Sequence, residues 1–254
     1  MLNYWLHKMS FTVLSYNIQR GGEQRLSAIS QVIRSQNPDA VALVEANSLT
    51  NAKTLATVLG MDLAIGEANS PHHIAWLSRS TLTRVENHRL PLLSRTLLEV
   101  EVSWKDRPIH LFATHLAPIW EGAGTIRIDE AEAVCGVLAS HVDHSALLVG
   151  DFNALHPEDT VGTPPVREAA ELQRAHSAPR QVIQLFLDFG LVDCYRAAHL
   201  ERPGYTYSTD CPWARIDFIL ASRQLAEYLD RCDVVTEGGV HAASDHLPIW
   251  ATFR

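Results

Sequence analysis

The chain has 254 residues, of which 46% are hydrophobic and 20% charged, enough apolar material for a substantial core and too little polarity for a disordered protein. With 21 basic against 29 acidic residues the formal net charge is -8. That argues against affinity driven by a uniformly basic surface, while leaving room for a locally positive face or a bound cation. No apolar run approaches the ~18 residues of a membrane helix, and Cys135, Cys194, Cys211 and Cys232 show no C-x-x-C spacing. Reduced thiols in a cytoplasmic protein are the expectation.

Residues 1–10 contain Leu and Trp but are interrupted by His7 and Lys8, and they read as an N-terminal extension to one domain spanning 11–254. Phe11 to Tyr16 alternates as a strand ending at Asn17. Leu26, Ile29, Val32 and Ile33 then share a helical face, which Asn37-Pro38-Asp39 stops. Ala40 to Val44 is a buried strand running into Glu45. A second helix is predicted from an N-cap at Thr50 to Leu59, with Gly60 as its stop. Strands follow at Asp62 to Ile65, Ile74 to Ser78 and Thr81 to His88, and Thr96 to Ser103 pairs with Ile109 to Thr114 as a hairpin around Lys105-Asp106-Arg107-Pro108. Ile126 to His141 has helical spacing and leads into the apolar run Ala146 to Val149.

After that run, Gly150 frees the backbone and Asp151 and Asn153 follow; on an extended chain they project together off the strand's end. The segment 155–179 is rich in Pro and polar residues and reads as a surface excursion holding one short helix, Val166 to Ala175. Gln181 to Phe189 is helical, stopped by Gly190, and strands at Ile216 to Leu220, Asp233 to Thr236 and Pro248 to Phe253 complete the chain. Helices mixed with several consecutive strands, without a linker or repeat, fit a layered or sandwiched α/β domain better than a doubly wound sheet.

Three carboxylates at strand ends (Glu45, Asp151, Asp245) and two histidines near such ends (His115, His246) are more costly groups than a structural account needs. Oxygen donors such as Glu45 and Asp245 suit Mg²⁺ or Mn²⁺ rather than zinc. A loosely held hard cation whose shell is completed by a phosphate makes phosphoester hydrolysis the natural reaction. Asp217 lies in an apolar strand with no solvent role, so it is expected to accept a hydrogen bond from His246, with Asp245 turned to the metal.

The runs Leu14-Ser15-Tyr16-Asn17-Ile18, Ala42-Leu43-Val44-Glu45, Ala113-Thr114-His115-Leu116, Gly150-Asp151-Phe152-Asn153, Arg215-Ile216-Asp217-Phe218-Ile219-Leu220 and Ser244-Asp245-His246-Leu247-Pro248-Ile249 occur in this order. Together they resemble the successive motifs of the endonuclease/exonuclease/phosphatase (deoxyribonuclease-I-like) superfamily. The resemblance implies a four-layered α/β sandwich, two packed mixed β-sheets flanked by helices, with the site at one edge. It also implies roles. Glu45 would be the principal metal ligand, with Asp245 contributing and Asn17 supporting the metal or the phosphate. Asp151 would activate water and Asn153 would hold phosphate or nucleophile. His246 would contact a phosphoryl oxygen or transfer a proton, oriented by Asp217. His115 would be a second phosphate-contacting imidazole, and Arg127 would face the site from the following helix. Gln19 departs from relatives that carry a carboxylate two residues past the Asn, which leaves one metal or two open.

The expected function is a divalent-metal-dependent phosphodiesterase acting on nucleic acid, working as a monomer. A lipid or inositol phosphate enzyme is the alternative, and a catalytically silent phosphate- or partner-binding module the alternative of another class. Only 3 lysines accompany 18 arginines, without a dense cluster, and no apolar hairpin marks a lipid enzyme. His72, His73 and His110 read as surface or packing residues. Trp120, Trp213 and Tyr205 read as loop aromatics that either stack on substrate or anchor the loops.

Overall fold

The computed structural model describes residues 10–118, 125–164 and 180–254. The first half of the chain runs β1 (Phe11–Asn17), α1 (Leu26–Gln36), β2 (Ala40–Val44), α2 (Leu49–Leu59), β3 (Asp62–Gly66), β4 (Ile74–Ser78) and β5 (Arg84–His88). It continues through β6 (Leu97–Trp104), β7 (Arg107–His115), α3 (Thr125–Leu138) and β8 (Ala146–Asp151). The remainder holds α4 (Gln181–Phe189), β9 (Leu191–Asp193), α5 (Cys194–Ala198), β10 (Asp217–Ser222), α6 (Arg223–Ala226), β11 (Leu229–Val234) and β12 (Ile249–Phe253).

β1, β2, β4 and β8 are buried at every position, and strands of that kind need cover on both faces. Two six-stranded sheets supply it, in the orders β11-β12-β1-β2-β4-β3 and β5-β6-β7-β8-β10-β9. Each is mixed: β1 pairs with β2 and β7 with β8 in parallel, and the other pairings are antiparallel. Alternate residues of each strand split between two cores. Val13, Ala42, Leu147 and Val149 meet between the sheets with Trp76, Leu111 and Ala251. Their neighbours Leu14 and Leu43 turn outward under α1 and α2, and Leu148 and Phe218 turn outward under α3 and α4. The result is the four-layered sandwich.

Local chemistry sets the boundaries. Asn37 closes α1 and Gly60 closes α2 in the left-handed conformation, as Gly190 does for α4. The β6–β7 hairpin turns on Lys105 and Asp106, both at positive φ (51° and 59°). Two such residues make the tight turn whose twist matches the strands, and Arg107 and Pro108 already lie in β7, paired with Trp104 and Ser103.

Several sequence expectations need correction. Ser48, not Thr50, caps α2: its Oγ accepts the Asn51 N–H at 3.2 Å, because Ser48 is still extended while Thr50 lies inside the first turn. The strand expected from Thr81 starts at Arg84, where the register with β6 begins opposite Glu101; Thr83 adds one N–H to the Glu101 carbonyl at 3.0 Å. The strand placed at Asp233 to Thr236 is instead Leu229–Val234, with an irregularity between Leu229 and Arg231, because its register on β12 ends at Val234–Ile249. β9, α5 and α6 were not expected. The stretch Val166 to Ala175, expected as a helix, most of the 155–179 excursion, Trp120 and nearly all of the N-terminal extension lie outside the described residues.

Candidate active site

Parallel pairing aligns strand ends, and here it aligns the polar residues. Asn17 ends β1 opposite Val44, so Glu45 follows one step beyond on the neighbouring strand. His115 ends β7 opposite Asp151 at the end of β8, and Asp217 opens β10 opposite the same Asp151. His246 precedes β12 and is bridged to Tyr207. Ser244 donates its hydroxyl to the Asn17 carbonyl at 2.7 Å, tying the Ser244-Asp245-His246 turn to the first sheet. The residues therefore converge from both sheets.

At the centre, three nitrogens face one oxygen. Asn17 donates its Nδ2–H to Asp151 Oδ2 at 3.1 Å, while His115 Nε2 and His246 Nε2 lie 3.6 and 3.7 Å from the same oxygen. His246 Nδ1 lies 2.9 Å from Asp217 Oδ2, the hydrogen bond expected from sequence. Asp217 Oδ1 and His115 Nδ1 are buried without a hydrogen-bond partner among the described residues. Asp151, Asp217 and His246 bring their ligand atoms within 4.8 Å of one another.

Burial sets the charges. It pushes the Asp151 carboxyl up, the negative charge of Asp217 adds to that, and His246, the Asn153 N–H and Asn17 pull it back to about 7. Burial would lower His246, but Asp217, through its charge and its hydrogen bond, outweighs it together with Asp151 and Asp245, raising His246 to about 10. His115 is held well below 6.5 by burial, reinforced by Arg95, His72 and His246. At neutral pH the site thus holds one imidazolium, one neutral imidazole and a carboxyl close to its midpoint.

Glu45 adopts a left-handed φ of 58°, its carbonyl accepts the Gly21 N–H and its Oε2 accepts the Arg20 N–H at 2.8 Å. Asp245 lines a surface pocket with Gln19, Arg25 and Tyr207. Asn153 does not follow Asp151 on an extended chain. Its φ is 46°, its N–H turns back onto Asp151 Oδ1 at 3.0 Å and its Nδ2 donates to the Leu116 carbonyl, so the Asp151 side chain closes an Asx-type turn on the Asn153 backbone. Gly150 permits the approach: with φ 142°, a Cβ there would stand 1.9 Å from the Thr114 carbonyl oxygen. Arg127 is buried and donates to the carbonyls of Ala117 and Pro118, so it holds the segment after His115 and makes no hydrogen bond to the Asp151 group.

Sequence reasoning missed three participants. His72 stands edge-on to His115, with ring centroids 5.8 Å apart, and its Nδ1 is 3.9 Å from Glu45 Oε2, linking the two halves of the site. Thr206 Oγ1 accepts the N–H groups of Ile216 and Asp217 and fixes the start of β10. Arg215, buried, joins Asp159 to Asp193 beneath the loop after Asn153. The His-His pair before β4 is the visible signal for His72 and the motif run that opens at Arg215 the one for Arg215; Thr206 carries none. Trp213 is buried against Leu155 and Ile216, which favours loop anchoring for this aromatic.

Against this geometry, residues 14–246 match the family described as Endonuclease/Exonuclease/phosphatase family. No match was found among curated protein sequences. Among solved structures, an AP endonuclease from Archaeoglobus fulgidus superposes with a TM-score of 0.79 at 19% identity, over 96% of this chain and 99% of that one. A 3′ phosphatase, NExo, from Neisseria, bound to product DNA hairpin, gives 0.75 at 22% identity, over 96% and 99%. TDP2 from D. rerio, complexed with single strand DNA product, gives 0.71 at 17% identity, over 97% and 100%.

Proposed function

Because the chain belongs to the endonuclease/exonuclease/phosphatase family, we propose that residues 11–254 form one catalytic domain, a Mg²⁺- or Mn²⁺-dependent phosphodiesterase acting on nucleic acid. The observation that carries the reading is the convergence of Asn17, His115 and His246 nitrogens on a single oxygen of Asp151. A carboxylate near its midpoint, surrounded by donors and backed by an Asp–His pair, is arranged to take a proton from water beside a developing negative charge.

The donor set fits a hard divalent ion. Glu45 offers a partly exposed carboxylate fixed by the Arg20 N–H, Asp245 offers a second, and Asn17 ends β1 opposite Val44, one step before Glu45 on the paired strand. These residues would hold the ion, whose chemistry there is Lewis-acid polarisation of a phosphoryl oxygen. Asp151 orients the attacking water and accepts its proton. His246, charged and held by Asp217, stabilises the phosphoryl oxygens, and neutral His115 offers a further polar contact. Asn153, fixed to Leu116, keeps the Asp151 carboxylate aimed.

Nucleic acid is favoured as substrate because two proteins of similar fold are bound to or complexed with DNA products. The four cysteines are unpaired, which supports a reducing, cytoplasmic setting, and we propose a monomer. No helix among the described residues is long and apolar enough to cross a membrane. The test is a panel of plasmid, abasic duplex, bis-p-nitrophenyl phosphate, sphingomyelin and inositol phosphates with Mg²⁺ and Mn²⁺. Cleavage of plasmid or abasic duplex is expected. Turnover of sphingomyelin or inositol phosphates alone would move the enzyme to the lipid class, and inertness towards the whole panel would overturn the reading.

A further inference from the structure

A second cluster of ligand-type side chains lies on the outer face of the second sheet. Glu99 of β6 is completely buried. Its Oε1 is 3.3 Å from His110 Nδ1 of β7 and 3.2 Å from His141 Nε2, in the turn that follows α3. These three ligand atoms all lie within 4.8 Å of one another. His110 precedes His115 by five residues along β7, roughly 17 Å at strand rise, so this is not the Asp151 site.

The protons around His141 make the arrangement informative. Ser140 donates its only hydroxyl proton to the Val137 carbonyl at 3.0 Å, so its Oγ must accept from His141 Nδ1, also 3.0 Å away. In the neutral imidazole, Nε2 then carries a lone pair, and that lone pair faces a carboxylate oxygen. Two buried acceptors at 3.2 Å repel unless a proton or a cation lies between them. The spacings favour a cation: four ligands at Zn–N and Zn–O distances of ~2.0–2.1 Å stand about 3.3 Å apart at tetrahedral corners. We propose that Glu99, His110 and His141 form a second metal site, for a divalent ion of the zinc class, which fastens the end of α3 to the β6–β7 hairpin.

Each ligand has a partner that would aim it, as metal ligands need. His88 Nε2 lies 2.9 Å from the other Glu99 oxygen, Ser140 holds His141, and Glu101 stands 3.9 Å from the outer nitrogen of His110. Exposed His144, whose ring centroid is 5.2 Å from that of His110, stands beside the cluster and can supply a fourth ligand in place of water. One cation already competes: Arg84 Nε is 3.0 Å from Glu99 Oε1, on an exposed side chain that also pairs with Glu86. The ion would displace it.

The test uses the untagged full chain, stripped with EDTA, reloaded with Zn²⁺ and dialysed in saturating Mg²⁺, with zinc counted by mass spectrometry and affinity measured by calorimetry. One zinc per chain is expected in the wild type and in Glu45→Gln. His141→Ala should weaken it at least ~100-fold and Ser140→Ala, which keeps the imidazole, about tenfold. Arg84→Ala should tighten it. Co²⁺ in place of Zn²⁺ should give the strong visible absorption of a four-coordinate centre, which decides the question should His141→Ala fail to fold. The proposal is overturned if the wild type retains no zinc, if cobalt gives no such absorption, or if zinc is lost in Glu45→Gln yet kept in His141→Ala. A His141 that is protonated rather than metallated produces the first of these results.

Discussion

Asp151 is required by the proposed chemistry and costly to the fold, and the cost is measurable. Its carboxyl rises from 3.8 to about 7 in the folded protein. Above pH 7 that rise corresponds to about 4 kcal/mol of destabilisation relative to an uncharged side chain, at ~1.4 kcal/mol for each tenfold change. The folded state binds the proton more tightly, so between pH 3.8 and about 7 the wild type loses stability as pH rises, and the loss is complete above 7. Asp151→Asn removes the titration but leaves an amide facing the Asn17 Nδ2 donor, which costs about 1–2 kcal/mol. Asp217 keeps His246 charged in both proteins, so its contribution nearly cancels. In EDTA, Asp151→Asn should therefore be close to neutral at pH 5, where the carboxylate costs only about 1–2 kcal/mol, and stabilising by about 2–3 kcal/mol at pH 8. That corresponds to a rise in Tm of roughly 4–12 °C for a chain of this size. The assay is calorimetric or dichroic melting of both proteins at the two pH values, beside activity, which should vanish. If Asp151→Asn is no more stabilising at pH 8 than at pH 5, the carboxylate is not paying a burial penalty and its role as a poised base fails.

EDTA should abolish hydrolysis and Mg²⁺ or Mn²⁺ restore it, and Glu45→Gln should raise the metal concentration required while leaving the melting curve nearly unchanged; full activity in a metal-free preparation would refute this. His246→Ala should lose ~10²–10⁴-fold in kcat/KM, and Asp217→Asn less. The double mutant should be little worse than His246→Ala, because the pair acts as a unit; losses that multiply independently would end the orienting role of Asp217. Gly150→Ala should destabilise by several kcal/mol, since its Cβ would meet the Thr114 carbonyl oxygen at 1.9 Å in a backbone region that disfavours side chains. A wild-type denaturant midpoint for that variant would show that β7 and β8 can part more readily than their pairing suggests.

The sequence carried the strand ends well because they are doubly marked. Fully apolar runs such as Ala40 to Val44 and Ala146 to Val149 point to buried strands, and a polar residue directly after such a run has few places to go but the sheet edge. The Asp217–His246 bond was legible for the same reason, as a carboxylate in an apolar strand needs a partner. What escaped was chemistry without a pattern. Arg215 meets Asp159 across 56 residues and Asp193 across 22, and no periodicity connects them. Glu99 sits in an alternating strand where a carboxylate looks like an ordinary solvent-facing residue, yet it is buried among His88, His110 and His141, the last from the turn after α3. The Asx turn at Asn153 and the three-residue β9 are too local and too short to show in hydrophobic spacing.

The placement of β12 bears on how the protein is made. That strand lies between β11 and β1, pairing Phe253 with Phe11. At the usual ~5–20 residues per second of translation, β1 waits more than ten seconds on the ribosome for the partner that covers it. During that time it can pair only with β2 and presents an apolar, unsatisfied edge to its surroundings. Completion of the first sheet, and with it the joining of Asn17 to the Ser244-Asp245-His246 turn, must wait until the residues up to Phe253 have been made. Yield in a foreign host should therefore respond to chaperone supply and growth temperature, and nascent chains stalled before Ile249 should be the ones that chaperones hold.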